Sequence, residues 1–159
     1  MYSWGVLHHT GAIWIGIENA CRAVAPEGHL FIAIYNDQGL PSIWWTRVKR
    51  TYNKLPRPLR AIYLVMFAVG LETAAFGLAL VRLEPRKLID RWTQYQNVRG
   101  MSRWHDIVDW VGGFPFEVAA PKDVIEFCGR RGFTLAHVKN CGRKMGCNEF
   151  VFARRVEQE

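Results

Sequence analysis

The 159-residue sequence contains no G-x-G, so the glycine-rich turn that cradles a dinucleotide or phosphate is missing from it. Its four cysteines, Cys21, Cys128, Cys141 and Cys147, form no CxxC pair, which removes the usual zinc-ribbon and thioredoxin spacings. Internal repeats and low-complexity tracts are also missing, which excludes a solenoid or a compositionally biased tail. The first residues show no basic leader or targeting pattern. With unpaired thiols, that makes a reducing cytoplasm the expected setting. Acidic residues are few, 14 against 21 Lys and Arg, giving a formal charge of +7. Such a balance suits a polyanion, an anionic membrane surface or an anionic substrate, unless the cations are simply solvated. What is present is apolar: half of all residues, with 13% aromatic, a composition that builds a packed core.

Along the chain, Tyr2 to Leu7 reads as a short buried strand that enters a loop at His8, His9 and Thr10. Ile13, Trp14, Ile17, Cys21 and Val24 recur at helical spacing, and Thr10 is placed to cap that helix. Ala25-Pro26-Glu27-Gly28 makes a tight turn, and His29 to Tyr35 (HLFIAIY) is so continuously apolar that it predicts a strand covered on both faces. Strand, helix and strand form a βαβ unit. Near the other end, Pro121 suits a first helical turn, with Val124, Ile125 and Cys128 as its inner stripe and Gly129 and Gly132 as the stop. Phe133 to Val138 and Asn148 to Ala153 read as strands. The connection between them is too short for a helical crossover, so they should run antiparallel. The organisation predicted is a partial core over 1–37, a helical insert over 38–120, and a core continuation over 121–159.

The insert contains the most apolar stretch, Leu59 to Val81. Its length suits a membrane span, yet Glu72 near its centre makes mid-bilayer placement expensive. Arg47, Lys49, Arg50, Arg57 and Arg60 flank one end and Arg82, Arg86 and Lys87 the other, so no orientation follows from the charges. A buried or lid helix pair is the preferred reading, with interfacial contact and spanning as the alternatives.

The run SWGVLHHTG, a helix, and then VAPEGHLFIAIYND resembles the stretch from the fourth to the fifth strand of class I S-adenosylmethionine-dependent methyltransferases. Val24-Ala25-Pro26-Glu27-Gly28 matches the turn that precedes their fifth strand, with Glu27 where a Gly is usual. The antiparallel pair at the end is similar to the reversed hairpin that closes that family's sheet. The segment Arg99 to Glu117 (RGMSRWHDIVDWVGGFPFE) looks like one in a bacterial subgroup similar to ubiquinone-biosynthesis methyltransferases. The resemblance implies an α/β fold, the C-terminal part of a Rossmann-like sheet, with S-adenosylmethionine as cofactor. It also implies further strand–helix units before Tyr2 carrying the glycine-rich cofactor loop, so the 159 residues alone are expected to be inactive.

In open α/β sheets, ligands sit outside the carboxyl ends of the strands. That rule, with the resemblance, assigns Gly5, Val6, Leu7 and His8 to the cofactor side. His8, His9 and His105 are the candidate bases, since imidazole titrates near neutrality. Tyr35 and Asn36 end the fifth-strand equivalent and would orient the acceptor. Arg103, Trp104, Asp106, Asp109 and Trp110 combine charge with indole faces beside Gly112-Gly113, and are read as acceptor contacts from the insert. Each group also has a plainer reading: a loop carbonyl bond for the histidines, turn chemistry for Asn36, and a solvated helix face for the insert residues. Arg143 and Lys144 are read as a hairpin tip in solvent.

The partner expected is a small, partly apolar methyl acceptor, quinol-like or lipid-linked. No metal is expected. An exposed sheet edge would invite self-association. The rival function is a non-catalytic module at a membrane surface, using 59–81 and its basic flanks. Nucleic acid is disfavoured, because no RNP-like aromatic sheet motif accompanies the positive charge.

Overall fold

The computed structural model describes residues 1–84, 86–142 and 146–155. It is an α/β structure with one four-stranded mixed sheet. The order is β1 (Tyr2–Trp4), a 3-10 turn (Leu7–His9), α1 (Ile13–Arg22), β2 (His29–Tyr35), α2 (Leu40–Lys54), α3 (Arg57–Val81), α4 (Arg86–Thr93), α5 (Tyr95–Arg99), α6 (Arg103–Gly112), α7 (Pro121–Gly129), β3 (Phe133–Lys139) and β4 (Cys147–Arg154). The chain divides into two compact units, Met1–Arg47 with Pro115–Glu159, and Val48–Phe114. The second unit lies within the 38–120 insert read from the sequence, and the start of α2 and the segment after Phe114 group with the sheet.

In the first unit the strands lie in the order β1-β2-β4-β3. β1 runs parallel to β2, while β4 is antiparallel to both β2 and β3. Three strands thus share one direction, and the reversed last strand lies between the second and third. The register pairs Ile32 with Phe150 and Leu30 with Phe152, so these four side chains share one face. All four are fully buried, and the two Phe rings stack at 5.9 Å. Against them pack Ile13, Ile17 and Cys21 of α1 and Val124 and Cys128 of α7. Each such side chain contributes about 1.5–3 kcal/mol of burial.

The opposite face is more open. Tyr2 stacks on Phe31 at 4.9 Å, yet Tyr2 is 69% and Trp4 53% exposed. β2 is enclosed on one face by the burial of Leu30, Ile32 and Ile34, and on the other face Ala33 is buried while Phe31 and Tyr35 are half-buried, so its apolar run is covered fully on one side and partly on the other. β1 is also shorter than Tyr2 to Leu7. Gly5 takes a left-handed φ of +73°, a conformation that ends an extended strand, and Leu7 already belongs to the 3-10 turn.

The second unit is all helical. Its core is small: Leu64 of α3 with Ile107 and Val111 of α6, flanked by Tyr52, Tyr63, Phe67 and Val108. Ser102 caps α6, its Oγ accepting from the His105 N–H. Of the preferred reading, a buried or lid helix pair, the buried form does not hold for α3. Only Leu64 and Ala79 of its 25 residues are buried, and Leu59, Ile62, Val65, Met66, Val69, Phe76, Leu80 and Val81 stand exposed.

Candidate functional site

β1 and β2 end side by side, and the chain leaving each of them builds a rim of aromatic and polar groups. His8 lies in the 3-10 turn with 1% exposure, its ring 3.9 Å from that of Tyr35. His9 meets the Tyr35 ring edge-on at 5.6 Å and the His8 ring at 4.6 Å. Phe116 closes the group, 5.2 Å from Tyr35. The segment that carries Phe116 is tied across both strand ends. Glu117 N–H donates to the His8 carbonyl at 3.0 Å, Ala119 N–H donates to the Tyr35 carbonyl at 3.0 Å, and Asn36 bridges Ala119.

The two histidines are not equivalent. His8 is an interior side chain, 1% exposed, so His9 is the more accessible imidazole of the two. His9 is half-buried, and its Nδ1 lies 2.6 Å from the Pro115 carbonyl. A carbonyl only accepts, so Nδ1 carries a proton, and in the corresponding neutral tautomer the lone pair lies on Nε2. An imidazole oriented in this way can accept a proton at Nε2.

Glu117 was missed by the sequence reading as a site residue. Its Oε1 accepts the Ile13 N–H at 3.2 Å, so this carboxylate, 104 residues away, caps α1. Its other oxygen is buried without a hydrogen bond among the described residues. Thr10, predicted to cap α1, instead donates to the Leu7 carbonyl and accepts from Ala12 N–H outside the helix. A Glu aimed at a helix N-terminus complements the helix dipole, but no local spacing in the sequence announces so distant a cap.

Asn36 ties the end of β2 to the β3–β4 connection. Its amide donates to the Gly142 carbonyl at 2.8 Å and its oxygen accepts from Asn148 at 2.9 Å. Asn148, which is fully buried, also accepts the Cys141 N–H. These bonds fasten the β3–β4 connection to the end of β2 and use one of the two Asn36 amide hydrogens. Arg143 and Lys144 lie outside the described residues.

Of the four residues assigned from sequence to a cofactor, Gly5 and Val6 are accessible. A Cβ built on Gly5 meets nothing within 4 Å, and Val6 is 58% exposed. Leu7 and His8 are buried at 9% and 1%, so their side chains serve the interior. A ligand can approach the Gly5–Val6 backbone, but this wall alone does not enclose one.

The insert candidates fall in the second unit and are described there by themselves. Arg103 pairs with Glu72 at 3.0 Å and donates to the Tyr95 hydroxyl, over whose ring it lies at 5.0 Å. Tyr95 in turn donates to Asp106 at 2.5 Å. His105 is exposed, with Nδ1 2.6 Å from the Ser102 hydroxyl. Trp104 and Asp109 are exposed, and Trp110 is half-buried. Arg103 and Asp106 are thus joined through Tyr95, whereas His105, Trp104 and Asp109 join no such network. An open groove in this unit is lined by Val69, Glu72, Thr73, Phe76 and Trp92. Among the described residues no group of three or more His, Cys, Asp or Glu is arranged to hold a metal ion. Comparison with protein-family models, with curated proteins and with solved structures returns no match for the chain.

Proposed function

We propose that the first unit carries the acceptor side of a class I S-adenosylmethionine-dependent methyltransferase that acts on a small, partly apolar molecule. The observation that carries this reading is the placement of His9. It stands where parallel strands β1 and β2 deliver their carboxyl ends, with Nδ1 held by Pro115 and an aromatic wall of Tyr35 and Phe116 beside it. The reversed β4 between β2 and β3 supports the same reading, since the family resembled above ends its sheet in a reversed hairpin.

S-adenosylmethionine, when bound, supplies the methyl group. The chain's own residues have narrower tasks. His9 Nε2 takes the proton of an acceptor hydroxyl or amine as the new bond forms. Tyr35 and Phe116 exclude water and favour an apolar acceptor. Gly5 and Val6 offer backbone to the cofactor's edge.

The test is an NMR titration of the isotope-labelled chain with S-adenosylmethionine. Because only one wall of the site is present, a weak dissociation constant of about 1 mM is expected, with saturable shifts confined to Gly5, Val6 and the His8–His9 turn. Absence of shifts there, or shifts only within Val48–Phe114, overturns the assignment.

A further inference from the structure

The second unit presents a surface that the methyl-transfer reading does not use. Along α3, Ile62, Met66, Val69, Thr73, Phe76 and Leu80 follow one another at steps of four and three residues and so form a single stripe. The five apolar members are each more than half exposed. The stripe's one polar member, Thr73, donates its hydroxyl to the Val69 carbonyl at 2.8 Å, so it leaves no donor unsatisfied in an apolar medium. Ile89 and Trp92 of α4 add exposed apolar area, at 65% and 51%. A water-facing patch of this size is unusual in a soluble unit.

Charge indicates what covers it. The second unit holds eleven of the 21 Lys and Arg but five of the 14 acidic residues, so it carries nearly all of the chain's excess positive charge. Arg50, Lys54, Arg57, Arg82 and Arg86 are exposed around the two ends of α3. An apolar stripe bracketed by cations fits the headgroup and upper acyl region of an anionic bilayer.

The opposite face of α3 decides how the helix lies. Tyr63, Leu64, Phe67 and Ala68 pack in the small core with α6, and Glu72, at the edge of the stripe beside Val69, Thr73 and Phe76, is held by Arg103 and the Trp92 indole N–H. A spanning α3 would carry the Arg103 ion pair and the polar α6 into hydrocarbon, or would strip Glu72 of its partners in the middle of the bilayer. Length and hydropathy alone permit a span. The attachment to α6 does not. We infer that α3 lies in the plane of an anionic membrane surface, with Ile62, Met66, Val69, Phe76 and Leu80 inserted and the Glu72–Arg103 pair at the water-facing edge of the stripe.

Flotation of the chain with vesicles of phosphatidylcholine containing phosphatidylglycerol tests this. The chain should float with anionic vesicles at low salt, bind them about ten-fold or more weakly after Arg82→Glu with Arg86→Glu, and be released by alkaline carbonate. Val69→Asp should abolish flotation while leaving the far-UV circular dichroism unchanged, because Val69 is exposed and its removal disturbs no core contact. No flotation, flotation indifferent to Val69→Asp, or retention through the carbonate wash overturns the inference. A stable dimer in vesicle-free buffer that Val69→Asp dissociates assigns the stripe to a second copy and overturns it equally.

Discussion

Lys49 offers the sharpest quantitative test of the second unit. It is 2% exposed, its ammonium donates to the Trp110 carbonyl, and it lies 5.7 Å from the centre of the Trp110 ring. Burial holds its pKa down to about 8, against the opposing attraction of Asp109. In the unfolded chain the group returns to about 10.4. The folded value is the lower one, so between about pH 8 and pH 10.4 the unfolded state binds more protons, and stability rises with pH across that window. Below pH 8 both states are protonated and the folded state bears the full cost of the buried charge, about 3 kcal/mol by the same linkage. Lys49→Met keeps the aliphatic stem and removes the charge. It forfeits one hydrogen bond to Trp110, worth about 1 kcal/mol. The variant should therefore be more stable than the parent by about 2 kcal/mol at pH 7, and the two should converge by about pH 10. Urea unfolding followed by Trp fluorescence at both pH values measures this. A variant less stable at pH 7, or a gap that does not narrow on going to pH 10, would refute the account of Lys49 as a strained buried cation.

Two further outcomes concern the rim. Glu117→Ala removes the cap on α1 and should cost about 1–2 kcal/mol, read as a lower midpoint in thermal circular dichroism, whereas an unchanged midpoint would show that Ile13 needs no acceptor from that side chain. Nitrogen NMR of the neutral His9 ring should show the proton on Nδ1; a ring protonated at Nε2 would remove the argument for its basicity.

The parts of the fold readable from sequence are those in which a short-range pattern coincides with the environment. α1 and α7 place Ile17, Cys21, Val124 and Cys128 at helical spacing, and those same residues are buried. β3 and β4 are separated by a turn too short to be anything but an antiparallel connection, and they pair that way. The failures share a physical cause: periodicity says which residues are apolar but not what lies against them. Leu59 to Val81 announces a helix, and α3 is one, but its composition cannot distinguish a side that meets α6 from a side that meets solvent. The site suffers from the same limit. His9 was legible from its position after a strand, whereas its tautomer depends on Pro115, 106 residues away. Glu117 lay within the insert as drawn from sequence, and its place beside α1 arises only once Pro115–Ala120 crosses the strand ends.

The distribution of charge argues against the nucleic-acid reading on grounds that the total of +7 could not supply. Were a polyanion the partner, the cations should form a polar stripe or groove, because phosphate contacts dominate such binding and apolar surface adds little to it. The first unit has ten basic and nine acidic residues, almost neutral, while the second concentrates the excess beside a strongly apolar exposed helix. Cations adjoining apolar area match a surface that is itself anionic above and apolar beneath, which is a bilayer. The two proposals then bear on one another. A methyl acceptor that is quinol-like or lipid-linked partitions into the same layer that the α3 stripe would occupy. Attachment to that layer would raise the acceptor's effective concentration at the chain without any new contact at His9. In an enzyme that also carries the glycine-rich cofactor loop, membrane-free assays with a short-chain acceptor would therefore understate turnover, and vesicles carrying the acceptor should restore it only when Val69 is intact.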